Sequence, residues 1–290
     1  MANTMQYKED FAPRLQAKLT EAKFWNTLGD VIYTDKKIFN NPYKNDPTVA
    51  SYTRGAQFSY TDVTLTNETL DINTTAIAAE FIDLADMAQN GYDLAMRLAD
   101  DQGDELMDTV EVAFLGEYAN AGTVLDGADI GESAGDIVLD ADNAMAVLEQ
   151  VRKNIVADKG LREFDRLGAS VILSPGQYVK FVAAAKAAGV LGFAEDALIK
   201  GTVNTANGFR LYESNLLTTE TSTTHALAFI NKSITVGILN TTFGKTTIDD
   251  KNPDNRSAVS FVSRIDYGMK IFNNKVNFVV DIPCTAASSL

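Results

Sequence analysis

The residues best placed to do chemistry are acidic. Asp100, Asp104 and Asp108 recur one helical turn apart, so their carboxylates share a face and could converge on a cation. Sites built only from oxygen ligands draw them from loops or from several helices. A single helix face therefore reads better as a solvated surface, or as one that pairs with basic residues of a neighbour. The segment 126–142 combines glycines and carboxylates in the proportions of a calcium loop. Its spacing fails, because the alternating ligands, central glycine and closing glutamate of such a loop are not in register.

One histidine and one cysteine complete the reactive inventory. His225 sits in the strand-like run 224–230 with no partner at recognisable spacing, and reads as structural or surface-exposed. A lone histidine cannot build a multi-histidine metal site. Cys284 alone can form neither an intrachain disulfide nor a cysteine-based metal centre. The chain has no P-loop, no GxGxxG, no GxSxG and no HExxH. No catalytic residue, no cofactor and no metal site is expected.

Hydrophobic residues make up 46% of the 290 and charged residues 22%, the balance of a folded chain. No stretch is long and apolar enough to cross a bilayer. Residues 1–14 have no apolar segment behind a basic start, so no secretory signal is expected. The net charge of -14 argues against a tight grip on nucleic acid, which needs clustered lysine and arginine. It is compatible with enclosing DNA without holding it, since an acidic wall repels phosphates.

The elements that must carry these residues follow from periodicity. Phe11, Leu15, Leu19 and Ala22 predict an amphipathic helix over 8–24, with Pro13 near its first turn. Residues 34–55, with Pro42 and Pro47, are polar and turn-rich and predict an extended arm. Phe58, Tyr60, Val63 and Leu65 predict a strand, Thr66-Asn67-Glu68 a turn, and Leu70 with Ile72 the returning strand. Such a two-stranded ribbon is barely stable alone in water and needs a partner surface.

Leu94, Ala95, Leu98, Leu106, Val110 and Ala113 predict a long helix over 92–118, roughly 40 Å in length. Asp93, Asp100, Asp104, Asp108 and Glu111 fall opposite that stripe, and Gly103 weakens the middle by about 1 kcal/mol. A Gly- and Asp-rich loop is expected over 121–142. A mixed region follows: a helix over 144–157, a buried strand over 170–173, then a Ser174-Pro175 cap and a helix closed by Gly189. Strands are expected over 209–212, 226–230 and 234–239, and a loop over 249–255. Alternation at Val259, Phe261 and Ile265, then at Val276, Phe278, Val280 and Ile282, predicts an antiparallel pair turning at Asn273-Asn274.

In this order the segments resemble the Hong Kong phage capsid fold, shared by tailed-phage coat proteins and encapsulins. Leu70, Ile72, Ile82-Asp83, Asp86 and Gln89 resemble the family's return from its excursion into the spine helix. Residues 170–185 resemble its strand, Ser-Pro turn and helix. Gly208, Tyr212, Ser214, Asn215 and Leu217 are similar to its G-x-x-x-Y-x-S-N-x-L turn, and Tyr267-Gly268 resembles its closing strand.

The resemblance implies an α+β fold: an N-terminal arm (1–55), an extended β excursion (56–82), a peripheral domain with the spine helix and an antiparallel sheet (83–135 and 245–290), and an axial α/β domain (136–244). It implies a major capsid protein, assembled in host cytoplasm and located in the virion. Pentamers and hexamers would close into an icosahedral shell around double-stranded DNA, with scaffolding and portal proteins as partners, no sequence-specific DNA contact and no membrane. An encapsulin-like compartment shell is the alternative within the fold, and a cytosolic enzyme the alternative outside it.

Two departures stand out. The chain opens almost directly into the arm, without the long scaffolding segment of some relatives. No lysine lies between Asp46 and Glu80, where other members crosslink, so covalent crosslinking is not expected. The spine-helix stripe around Leu98, Leu106 and Val110 is expected to pack on the C-terminal strands. Its acidic face is expected either to line the shell interior or to meet basic residues of the next subunit.

Overall fold

Phe11, Leu15 and Leu19 are spaced by four, which stacks side chains on one helix face, and all three are almost fully buried. They anchor helix α1 (Asn3–Leu19). The helix stops earlier than periodicity suggested: the Thr20 hydroxyl donates to the Ala17 carbonyl (2.7 Å), and Ala22 is exposed. The computed structural model describes residues 3–44, 51, 53–55, 57, 60, 62–83, 94–157, 160–187, 205–249 and 258–285, apart from the side chains of 3–10, 95, 185 and 186. Gly189, Asp86, Gln89, Asp93 and the loop beyond Asp249 lie outside the described residues.

A single helical turn, α2 (Phe24–Thr27), and strand β1 (Asp30–Thr34) follow. Strands β2 (Ile38–Lys44) and β3 (Leu65–Asp71) pair antiparallel from Ile38 with Asp71 to Lys44 with Leu65. The expected turn at Thr66-Asn67-Glu68 therefore lies inside a strand. The ribbon's first strand comes from the stretch read as an extended arm. Threonine-rich strands with few large apolar residues do not fix their own register, so pattern alone misplaced the turn. Pro42 sits in this two-stranded ribbon, where proline costs little because one strand edge is free.

Strand β4 (Thr74–Asp83) leads towards the spine helix α3 (Leu94–Leu115), whose 22 residues span about 33 Å. Helix α3 tightens into a 3₁₀ turn at Gly116–Asn120. Its buried side is Ala99, Leu106, Met107, Val110 and Phe114; of the expected stripe Leu106 and Val110 are buried, and the half-buried Leu94, Leu98 and Ala113 pack at its border. Gly103 has a packing role: a Cβ there would lie 2.7 Å from the Lys18 Cβ, so its absence lets α1 and α3 approach closely.

Past α3, the expected loop carries two short strands, β5 (Thr123–Val124) and β6 (Ile137–Val138). Helix α4 (Ala144–Val156) matches expectation, and helix α5 (Gly160–Leu167) was not foreseen. Strand β7 (Ala169–Leu173) is buried throughout. Ser174 then caps helix α6 (Pro175–Ala187): its hydroxyl accepts from Gln177 N (3.3 Å), while the Gln177 side chain accepts from Ser174 N (2.8 Å). Strands β8 (Thr205–Ala206) and β9 (Phe209–Glu213) turn at Asn207-Gly208, both at positive φ (51° and 89°). The remaining strands are β10 (Thr219–Glu220), β11 (Thr223–Ile230), β12 (Ile234–Leu239), β13 (Lys245–Asp249), β14 (Ala258–Ile271) and β15 (Val279–Thr285).

Two sheets organise these strands. In the five-stranded sheet β14 is central, with β4 along one edge and β12 and β13 successively along the other; β1 pairs parallel to β12. In the eight-stranded sheet the order is β5-β15-β11-β7-β9-β8, with β6 on β15 and β10 on β11. Strands β14 and β15 thus belong to different sheets, which corrects their expected pairing. A turn closed by Lys275 N to Phe272 O (2.7 Å) and a 3₁₀ turn at Val276–Phe278 redirect the chain, and β15 pairs with β11 instead. Alternation identifies a strand but not its partner.

Each sheet backs its own core. One gathers α1, α3, β12 and β14; the other gathers α4, β7, β9, β11 and β15. The sheets divide the chain differently from the expected cut at 244/245, since β12 joins the first sheet and β15 the second. Within 1–55, α1 gives Phe11, Leu15 and Leu19 to the core and β1 joins the first sheet.

The ribbon is seated on the first sheet by two glycines. Gly237 of β12 and Gly268 of β14 are directly paired, and the base of the ribbon crosses over them. A Cβ on Gly268 would lie 2.2 Å from the Asp71 carbonyl oxygen, and one on Gly237 would lie 2.9 Å from Leu70 Cδ2. Backbone cannot yield as a flexible side chain can. Gly268→Ala is expected to destabilise the subunit by about 1–3 kcal/mol in urea unfolding. Gly116→Ala, whose Cβ meets nothing within 4 Å, should be neutral or slightly stabilising.

Candidate assembly surfaces

The acidic flank of α3 finds its countercharges in the same chain. Arg14 forks onto Asp100 (Nε–Oδ1 2.7 Å, Nη2–Oδ2 2.6 Å), Lys18 reaches Asp104 (3.3 Å), and Lys23 reaches Asp108 (2.6 Å). Both partners advance together along the chain, so α1 and α3 run parallel. Glu111 continues the series, buried and accepting the Phe24 N–H (3.2 Å). Burial raises the Glu111 pKa, against the pull of that N–H and of Lys23. The Arg14 hydrogen bonds hold the Asp100 carboxyl below its ordinary range. Asp100, Asp104 and Asp108 thus meet basic residues of their own chain, while the side chains of Asp104 and Asp108 stay 50% and 40% exposed.

On its other side α3 packs against β14 and β4, as expected for the C-terminal strands. A buried amide fixes the contact. Gln102 accepts from the Ser263 hydroxyl (2.6 Å) and donates to the Phe261 carbonyl and to Glu80 (both 3.3 Å). Nearby, Asp266 is buried, which alone would raise its pKa. Hydrogen bonds from Arg264 (2.8 Å) and Thr75 (2.6 Å) outweigh that and hold it low.

His225 lies in a polar cluster at the end of the spine. Its ring stacks on Tyr118 at 4.0 Å, and its Nδ1 lies 2.9 Å from Asp281 Oδ2. The Tyr118 hydroxyl donates to Glu220 (2.8 Å). Burial pushes the Asp281 carboxyl up to about 6, partly offset by His225. Nothing here positions a nucleophile against the pair, and the arrangement ties the end of α3 to the second sheet. Cys284 is also buried, and burial pushes its thiol up to about 12, which removes the thiolate a disulfide would need.

In the 126–142 segment Asp126 accepts the N–H groups of Ala128 (3.0 Å) and Gly135 (2.8 Å), which lower its pKa and make it a cap. Among the described residues, no three metal-ligating side chains gather anywhere, and no helix is long and apolar enough to cross a membrane.

Apolar side chains are exposed on two strand surfaces. On the ribbon these are Ile38 and Leu65, with Tyr60 and Val63 just before β3; on β4 they are Ile77 and Phe81. Among the described residues β4 pairs only with β14, which leaves its other edge without a strand partner there. The ribbon also ends on Lys44, so the stretch without lysine covers only part of the excursion.

A long helix laid on a sheet, an extended ribbon seated at the sheet's end and a second mixed α/β core make up the Hong Kong phage capsid fold, and this chain has that fold. A chain from the capsid structure of cyanophage P-SCSP1u matches at a TM-score of 0.66 and 15% identity, covering 93% of this chain and 89% of that one. A chain from the mature capsid of bacteriophage PhiM1 matches at 0.67 and 13% identity, with 93% and 89% covered. The virus-like particle from Pyrococcus furiosus matches at 0.56 and 14% identity, with 94% and 98% covered. No family model matches the chain, and no curated protein does.

Two predictions follow from the charged groups. Replacing Asp100, Asp104 and Asp108 together with asparagine should lower subunit stability by about 1–2 kcal/mol at low salt. The loss should shrink in 1 M salt, because exposed pairs are each worth at most about 1 kcal/mol and are screened. Unfolding curves at both salt concentrations check this. The second concerns Asp281, whose folded pKa is raised, so the folded state keeps a proton that the unfolded chain releases. That stabilisation is complete below about 3.8 and is lost as pH rises through about 6. Relative to Asp281→Asn, the native protein should gain up to about 3 kcal/mol between pH 7 and pH 4, measured by urea unfolding.

Proposed function

We propose that this chain is a major capsid protein that self-assembles into an icosahedral shell around the double-stranded DNA of a tailed phage. Its place would be the virion, and its role structural rather than enzymatic. The observation that carries the reading is the full-length likeness to chains of two phage capsids, each covering 93% of the chain. Exposed apolar groups on the ribbon and on β4 support it, since a lone subunit leaves that surface uncovered. In this reading the ribbon is the excursion, the sheet centred on β14 with α3 is the peripheral region, and the sheet of β7, β9, β11 and β15 is the axial region. Pentamers and hexamers form the shell, with scaffolding and portal proteins as further partners.

The likeness to the virus-like particle from Pyrococcus furiosus favours a second reading, an encapsulin-like compartment, at a lower TM-score of 0.56. Electron microscopy of the purified protein is expected to show closed shells with five- and six-fold units; only isolated globules would overturn the proposal. Particles from the native host should contain DNA; protein cargo in its place would favour the compartment. Hydrogen exchange should show α1 and β1 protected already in the free subunit, with β2 and β3 gaining protection on assembly.

A further inference from the structure

No lysine or arginine occurs between Arg97 and Arg152. The carboxylates at the start of that span meet α1, but those of 126–142 have no ion pair among the described residues. Asp129, Glu132, Asp136, Asp140 and Asp142 are all exposed, and their described hydrogen bonds go only to backbone N–H groups, Asn143 and Thr223. In a chain of net charge -14, five of the 25 lysines and arginines line one open concavity of about 910 Å³. Lys44, Arg162, Arg166, Lys232 and Lys275 line it. Arg166 is paired with Glu163, and Lys275 with Asp30 (3.2 Å). Lys44, Arg162 and Lys232 have no carboxylate partner among the described residues. Lys232 is held at φ 66°, a left-handed conformation that lysine rarely adopts.

We propose that the acidic loop 126–142 of one copy docks into this basic concavity of a second copy. Two different, complementary patches on one molecule make a head-to-tail contact, the type that closes into rings when the rotation fits. Opposed charges steer that contact and fix its register. A nucleic-acid backbone suits the concavity less well, because Asp30 and Glu163 also line it and would face the phosphates. The inference rests on the shell reading above and assigns one contact within it.

Charge reversal tests the docking. Lys44→Glu with Arg162→Glu reverses the concavity, and Glu132→Lys with Asp142→Lys reverses the loop. Either reversal alone should cut the assembled fraction at least about tenfold by sedimentation, since juxtaposed like charges cost several kcal/mol. All four changes in one chain should restore assembly, which no folding defect would do. In wild-type particles, zero-length carbodiimide coupling should join Lys44 or Lys232 of one copy to a loop carboxylate of another, with isotope-mixed particles marking the two copies.

Single reversals that assemble like wild type, a four-fold variant that stays unassembled, or absence of the crosslink would each overturn the docking. Normal shells that lose packaged DNA on reversal of the concavity would assign the patch to nucleic acid and overturn it too. A wild-type chain that never assembles would instead sink the shell reading.

Discussion

A long helix bearing Asp100, Asp104, Asp108 and Glu111 along one flank cannot be buried on that side unless the charge is answered. In this chain α1 answers it. Arg14 and Lys18 follow the same four-residue step as the acids they meet, and Lys23 and the Phe24 N–H extend the series. With that flank neutralised, the apolar side of α1 can settle against α3 at the gap left by Gly103. The opposite side of α3 is then free to seat on β14 and β4. The individual ion pairs are weak, and their importance is geometric: they set the register in which Phe11, Leu15 and Leu19 enter the core.

The sheet beneath is built to receive the ribbon rather than to hide it. The Gly237–Gly268 pair flattens β12 and β14 where Leu70 to Ile72 cross, so the ribbon base is fixed while its strands project. Glu68 tightens this seat by accepting hydrogen bonds from the backbone and side chain of Asn273, and Lys270 donates to the Thr69 carbonyl (2.8 Å). A firm base with Ile38 exposed beside it and Leu65 exposed at the far end is the geometry of an element meant to bury itself elsewhere.

Much of this was legible in the residues. The four-residue repeat of α1, the length of α3 and the Ser174-Pro175 cap each carry a local physical signal, and Tyr267-Gly268 was legible through the family resemblance. Partnership does not. Alternation at Val259–Ile265 and at Val276–Ile282 reads the same whether the strands pair with each other or join separate sheets. Arg14 and Asp100 are 86 residues apart, so nothing local links them. Helix α5, only 8 residues long, was too short for a repeat to show. The Asn207-Gly208 hairpin turn did carry its signal and was overlooked because β8 spans two residues. For the assembly surfaces, exposed apolar strands and unpaired charges become visible only once the core has been subtracted.

The parallel arrangement of α1 and α3 bears on how the subunit comes to be folded. Parallel neighbours cannot be joined by a tight turn, and here β1, the ribbon and β4 all lie between them. Closing a loop of such length is costly before any contact rewards it, and high contact order slows folding. During synthesis α1 emerges before α3 and must wait, with Phe11, Leu15 and Leu19 uncovered, until the chain has grown past Leu115. The nascent chain thus carries an exposed apolar helix until α3 has been made.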